Sequence, residues 1–239
     1  MKNLPVLLLI PGMLNTAAVW APVAKRLSSH AEVRIANVQT QASIAEMARD
    51  AWALVADVPI NTPLVVCGFS MGGYVTIEML AACVRPVGAI GLLDTSARPE
   101  TPEGALIREK TISAIERNFA RMVDNVALLG TSAETQTQPL LMAAIRQTMM
   151  DVGPDCAIRQ NRAIMDRGDY RDALTRITTP SLVMCGREDR ITPPNLSEEL
   201  ASLIPGARLE WIDNAGHMGL QEQPDQVAEY LMKLLLHLT

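Results

Sequence analysis

The chain of 239 residues is 49% hydrophobic and carries a formal net charge of -5. Its length suits one α/β domain with an insertion, and an acidic balance without any Lys/Arg run excludes a nucleic-acid or anionic-membrane surface. No apolar stretch approaches the ~18 residues needed to cross a bilayer, so no membrane partner is expected.

Six short apolar runs read as strands, at 4–10, 32–37, 63–67, 87–93, 181–185 and 208–212. Most are apolar on both faces, as parallel strands buried under helices should be. Met1-Lys2 ahead of the first run has the look of a short signal peptide, but the run is brief and no convincing small-residue cleavage site follows. A cytoplasmic protein is therefore expected. The four cysteines, Cys67, Cys83, Cys156 and Cys185, are scattered without metal-ligand spacing and read as buried reduced thiols, which agrees with that location.

After the first strand, Pro11-Gly12-Met13-Leu14-Asn15 makes a sharp turn into a helix with the stripe Trp20, Val23, Ala24 and Leu27. A second helix opens on Ser43 and Glu46, at capping-box spacing, and carries Met47, Ala48, Ala51 and Val55 on its apolar face. The third strand runs into Gly68-Phe69-Ser70-Met71-Gly72-Gly73 and a helical stretch from Tyr74 to Ala82. A serine at a strand-to-helix turn, with glycine two residues before and two after, is the nucleophile elbow. Gly68 and Gly72 allow close passage of neighbouring chain, and the Met71 amide points from a helix N-terminus toward any oxyanion formed at Ser70.

The alternation of strand and helix stops between Thr95 and about Asp172, where four helices are expected. One of them carries Leu140, Leu141, Ala144, Ile145, Thr148 and Met149 as a stripe that must cover something. The insertion leaves after Asp94, at the C-terminal end of a strand, where open α/β sheets place ligands. The expected organisation is a core of 1–94 and 173–239 with a helical lid at 95–172. Beyond it, a helix at 194–204 is closed by Pro205-Gly206, and the last helix repeats the apolar stripe with Val227, Tyr230, Leu231, Leu234 and Leu238.

A serine hydroxyl needs an adjacent base, normally an imidazole oriented by a carboxylate. Of the three histidines, His30 falls in a polar connection and His237 lies two residues from the end, whereas His217 follows the final strand in Asn214-Ala215-Gly216-His217-Met218-Gly219. His217 is the base by elimination. The acid is expected between serine and histidine in chain order, and Asp189, just beyond the fifth strand, fits that place. Asp94 and Glu188 stay open as alternatives. The Met13 amide, after the first strand, is the expected second oxyanion donor, with Leu14 and Met218 lining the substrate pocket. This chemistry calls for no cofactor and no metal.

Taken together, the elbow serine, Asp189 and His217 in that order resemble the α/β-hydrolase family nearly end to end. The segments Thr179 to Asp189 and Ile204 to Met218 look like its enol-lactonase and carboxylesterase branch, and Pro11 to Trp20 is similar to the oxyanion loop of small carboxylesterases. The resemblance implies an α/β-hydrolase fold of about six mostly parallel strands with a helical lid. It further implies a serine hydrolase of a small-molecule ester or lactone. Family members usually carry His-Gly where this chain has Pro11-Gly12, and an aspartate with a glycine-rich turn where it has Asn37 to Gln41. The usual leading hairpin is missing as well. Carbon–carbon hydrolysis, thioester cleavage and acyl transfer remain open on the same triad, as do a non-turnover ligand receptor and a homo-oligomer. Relatives that act as dehalogenases or epoxide hydrolases place aspartate at the elbow, so Ser70 excludes both.

Overall fold

A computed structural model describes residues 4–236. Its single sheet comprises β1 (Val6–Ile10), β2 (Glu32–Ile35), β3 (Leu64–Phe69), β4 (Ala89–Leu93), β5 (Ser181–Gly186) and β6 (Arg208–Ile212). The strands lie in the order β2-β1-β3-β4-β5-β6, and every pairing is parallel. Burial explains this order. Every residue of β1, β3, β4 and β5 is buried, whereas β2 and β6 are only partly covered and take the two edges. The alternating direction of side chains sends Leu7 and Leu9 to one face and Val6, Leu8 and Ile10 to the other, so each face carries its own apolar core.

The helices follow from the same alternation. They are α1 (Ala21–Leu27), α2 (Ile44–Ala53), α3 (Met71–Ala82), α4 (Pro102–Leu129), α5 (Pro139–Met150), α6 (Pro154–Met165), α7 (Arg171–Leu174), α8 (Pro194–Leu203), α9 (Gly219–Glu222) and α10 (Pro224–Leu236). Helices α1 and α10 pack together over the first face, while α2, α3 and α8 cover the second. The chain therefore changes sides between α1 and α2, at the edge strand β2, and the strand order reverses between the neighbours β1 and β3. Such a reversal opens a crevice at the C-terminal ends of the central strands. Among the described residues, no helix is long and apolar enough to cross a membrane.

Three local features differ from the sequence expectations, among them Cys83, which is exposed where Cys67, Cys156 and Cys185 are buried, and one more, a break in α4, was not anticipated. Ser43 accepts from the Glu46 N–H at 3.1 Å, but the Glu46 carboxylate reaches back to the Ala42 N–H at 2.7 Å, one residue earlier than a capping box requires. On α5, Leu140 is 88% exposed and Ala144 is exposed, so the buried face is narrower and centres on Ile145, Thr148 and Met149. Helix α4 breaks at Asn118 (φ -163°, ψ 92°), whose side-chain oxygen accepts from the Arg121 N–H at 2.9 Å and recaps the second half. Met1, Lys2, His237 and Leu238 lie outside the described residues.

Helices α4 to α7 form the insertion between β4 and β5, with α4 packed on both α5 and α6. Its apolar residues Met122, Val123, Ile145 and Met149 join the core cluster that also holds Leu14 and Met218. The insertion is thus seated on the C-terminal edge of the sheet by burial, at roughly 1.5–3 kcal/mol for each fully buried large aliphatic side chain.

Candidate active site

Strand β3 ends at Phe69 and α3 begins at Met71, leaving Ser70 alone at the turn with φ 53° and ψ -117°. That conformation is closed to ordinary L-residues and persists only where the surroundings impose it. They do so at close range. A Cβ on Gly68 would fall 2.1 Å from the Gly72 carbonyl oxygen, and one on Gly72 would fall 2.2 Å from that of Ile10. Both glycines are therefore demanded by contact between β1, β3 and the first turn of α3. The Ser70 N–H donates to the Leu93 carbonyl at 2.8 Å, and its carbonyl accepts from the Gly73 N–H and the Thr95 hydroxyl.

His217 sits in the loop after β6, 5% exposed, with Nε2 3.0 Å from the Ser70 hydroxyl and Nδ1 2.8 Å from Asp189 Oδ2. A carboxylate can only accept, so Nδ1 carries the proton and Nε2 turns its lone pair to the serine. Asp189 is itself held by four donors: the N–H groups of Ile191 and Thr192 on Oδ1, and the Thr192 hydroxyl and the imidazole on Oδ2. Burial alone would raise its pKa, but the charge and hydrogen bond of His217 together with Thr192 outweigh burial and hold it below the usual carboxylate range. Phe69 flanks the imidazole, ring centres 5.1 Å apart.

The loops that carry these groups are locked to each other. A Cβ on Gly186 would meet the Gly216 carbonyl oxygen at 2.1 Å, so the end of β5 and the histidine loop touch backbone to backbone. Buried Glu222 accepts from the N–H groups of Gly216 and Ser132, and the Met218 N–H donates to the Gly130 carbonyl. The chain leaving α4 thereby fastens the imidazole loop.

The alternative carboxylates do other things. Glu188 accepts from the Ala133 N–H at 2.9 Å. Asp94, fully buried at φ 46°, accepts the Gly186 N–H on Oδ1 at 2.8 Å, while Oδ2 has no partner among the described residues. Burial first, and the neighbouring Asp189 charge second, push its carboxyl well above the ordinary range, so the neutral form is favoured. A ligand atom from each of Asp94, Asp189 and His217 lies within 4.8 Å of the others. As a metal site this cluster is poor, because the facing atoms of Asp189 and His217 already bind one another. His30 lies away from the serine on the surface and pairs with the Ser29 hydroxyl.

A model of the alpha/beta hydrolase family matches residues 7–230, nearly the whole chain. The chain belongs to the alpha/beta hydrolase family. Among its relatives, a pimeloyl-[acyl-carrier protein] methyl ester esterase of Xanthomonas oryzae pv. oryzae is 25% identical over 245 residues, covering 97% of this chain and 95% of that protein. A thermophilic esterase from Thermogutta terrifontis superposes with a TM-score of 0.89 at 24% identity over 99% of this chain and 91% of the other. The enol-lactonase of Burkholderia xenovorans LB400 gives 0.86 at 23% identity over 98% and 92%. Both structures share the fold.

Within this alpha/beta hydrolase, the turn after β1 carries Pro11-Gly12 and packs tightly on the elbow. A Cβ on Gly12 would stand 2.9 Å from Ser70 Cβ and 3.1 Å from the Phe69 carbonyl oxygen, so glycine is required there whatever precedes it. Among the described residues, the backbone N–H groups of Met13 and Met71 donate to nothing. Leu14 follows at φ 58°, a left-handed conformation that costs an L-residue about 1–2 kcal/mol. Leu14 and Met218 are each 1% exposed and pack with Ile145 and Met149 of the insertion. Sequence reasoning missed Thr192, which bonds Asp189, and Thr95, which bonds the Ser70 carbonyl. The hydroxyl three residues after Asp189 was legible as a local turn, but Thr95 acts across 25 residues, a distance that no local pattern encodes.

Proposed function

We propose that this alpha/beta hydrolase is a serine esterase that cleaves small carboxylic esters, lactones included, through an acyl-enzyme. The observation that carries the reading is the continuous chain from the Ser70 hydroxyl through His217 to Asp189. Ser70 Oγ attacks the carbonyl carbon as its proton passes to Nε2, and Asp189 steadies the imidazolium. The amides of Met13 and Met71, free of other partners, receive the oxyanion. Collapse expels the alcohol, which takes the proton from His217. Water then attacks the acyl-serine by the same route and releases the acid.

The relative named as a methyl ester esterase supports a small alcohol as leaving group. Leu14, Met218 and the apolar faces of α4 and α5 support an aliphatic acyl group, with 95–172 acting as a lid over it. Four free cysteines support a reducing, cytoplasmic location. Replacement of Ser70 by alanine should abolish turnover of short p-nitrophenyl and methyl esters and labelling by a fluorophosphonate. Undiminished turnover in Ser70→Ala refutes the assignment.

A further inference from the structure

Gln160, on α6 of the insertion, is fully buried, and both ends of its amide are engaged. Its Oε1 accepts from the Leu14 N–H at 3.0 Å and its Nε2 donates to the Val38 carbonyl at 3.0 Å. On the opposite side of the same peptide, the Asn15 side-chain NH2 donates to the Met13 carbonyl at 2.8 Å. The peptide joining Met13 and Leu14 is therefore held at its carbonyl by the turn itself and at its N–H by a side chain 146 residues away.

This clamp bears on a peptide with reason to move. Leu14 has φ 58°, which an L-residue abandons unless constrained. Relaxing it would swing the Met13–Leu14 plane. That plane shares the Met13 Cα with the preceding one, whose N–H is free and whose Gly12 lies against Ser70. Unmaking the Gln160 contact would also leave a buried N–H unsatisfied, so the turn and α6 favour one arrangement jointly.

We infer that Gln160 is a positioning residue that couples the seating of the helical insertion to the aim of the Met13 N–H, so that the oxyanion hole is complete only with α6 in place. The inference rests on the serine esterase reading for its catalytic consequence, though not for its geometry. An insertion that lifts to admit substrate would loosen the turn, and its return would restore the donor. Water meeting the open site would then find a poor catalyst.

The test uses Gln160→Met, which keeps length and loses both hydrogen bonds, and Gln160→Glu, which keeps an acceptor for Leu14. In Gln160→Met, kcat on p-nitrophenyl butyrate should fall roughly 10- to 100-fold, less than the ~10²–10³ of a donor removed outright, with KM nearly unchanged. Affinity for a trifluoromethyl ketone should fall in parallel, and Gln160→Glu should retain most of kcat. Unchanged kcat in Gln160→Met, a rise in KM alone, or equal damage in both variants overturns the inference. A second measurement needs neither a variant nor turnover: in the wild-type protein the Leu14 amide should be protected from hydrogen exchange while that of Met13 is not. Exchange of Leu14 at the rate of an open loop overturns the inference even in an inactive protein, whereas a wild type that neither hydrolyses esters nor labels at Ser70 overturns the esterase reading instead.

Discussion

Replacing Ser70 by glycine should yield a more stable protein than replacing it by alanine. Both variants lose the hydroxyl and its 3.0 Å contact with His217, so their difference isolates the backbone. At φ 53° and ψ -117°, a residue bearing a Cβ carries about 1–3 kcal/mol of strain that glycine does not. Glycine returns about 0.5–1 kcal/mol of this through the greater freedom of its unfolded chain. The balance favours Ser70→Gly by up to about 2.5 kcal/mol, centred on ~1 kcal/mol, with the melting temperature higher by roughly 2–4 °C per kcal/mol for a chain of this size. Urea unfolding followed by far-ultraviolet circular dichroism measures it, provided the two variants share one m-value. An alanine variant more stable than the glycine variant by about 0.5–1 kcal/mol, the entropy term alone, would show that the elbow stores no strain, and the account of Gly68 and Gly72 as its enforcers would fail.

Asp189→Asn should drop kcat about 10⁴-fold through the wrong imidazole tautomer. Asp94→Asn should leave kcat nearly intact in the same ester assay, because Asp94 bonds Gly186 and not the imidazole. Asp94 also predicts a pH dependence. Its folded pKa is raised, so above pH ~4 the unfolded chain loses this proton while the folded chain keeps it, and stability falls with pH by up to ~1.4 kcal/mol per unit until the folded group ionises. Asp189, lowered, works in the opposite sense, its contribution present above the unfolded pKa and lost as pH falls through the folded one. Unfolding titrations from pH 4 to 8 should therefore show Asp94→Asn gaining on the wild type as pH rises, and a constant difference across that range would contradict the assignment.

The sheet and the elbow with Ser70 were legible because each rests on neighbours in sequence, while His217 came by elimination among three histidines and Asp189 by its place in chain order. Strands buried on both faces leave unbroken apolar runs such as Leu7 to Ile10, and a strained turn leaves glycines at fixed offsets, as at Gly68 and Gly72. The choice among Asp189, Asp94 and Glu188 was not local, since all three stand near strand ends and only packing sets which one His217 Nδ1 reaches. The α5 stripe was misjudged at Leu140 and Ala144 for a related reason: periodicity gives the direction of a helix face, but the neighbouring elements set how wide a band is covered. Gln160 carries no sequence signal at all. Its amide met the turn at Leu14 only when α6 was laid beside Leu14 and Val38, because a hydrogen bond between residues 146 positions apart exists through tertiary closure alone.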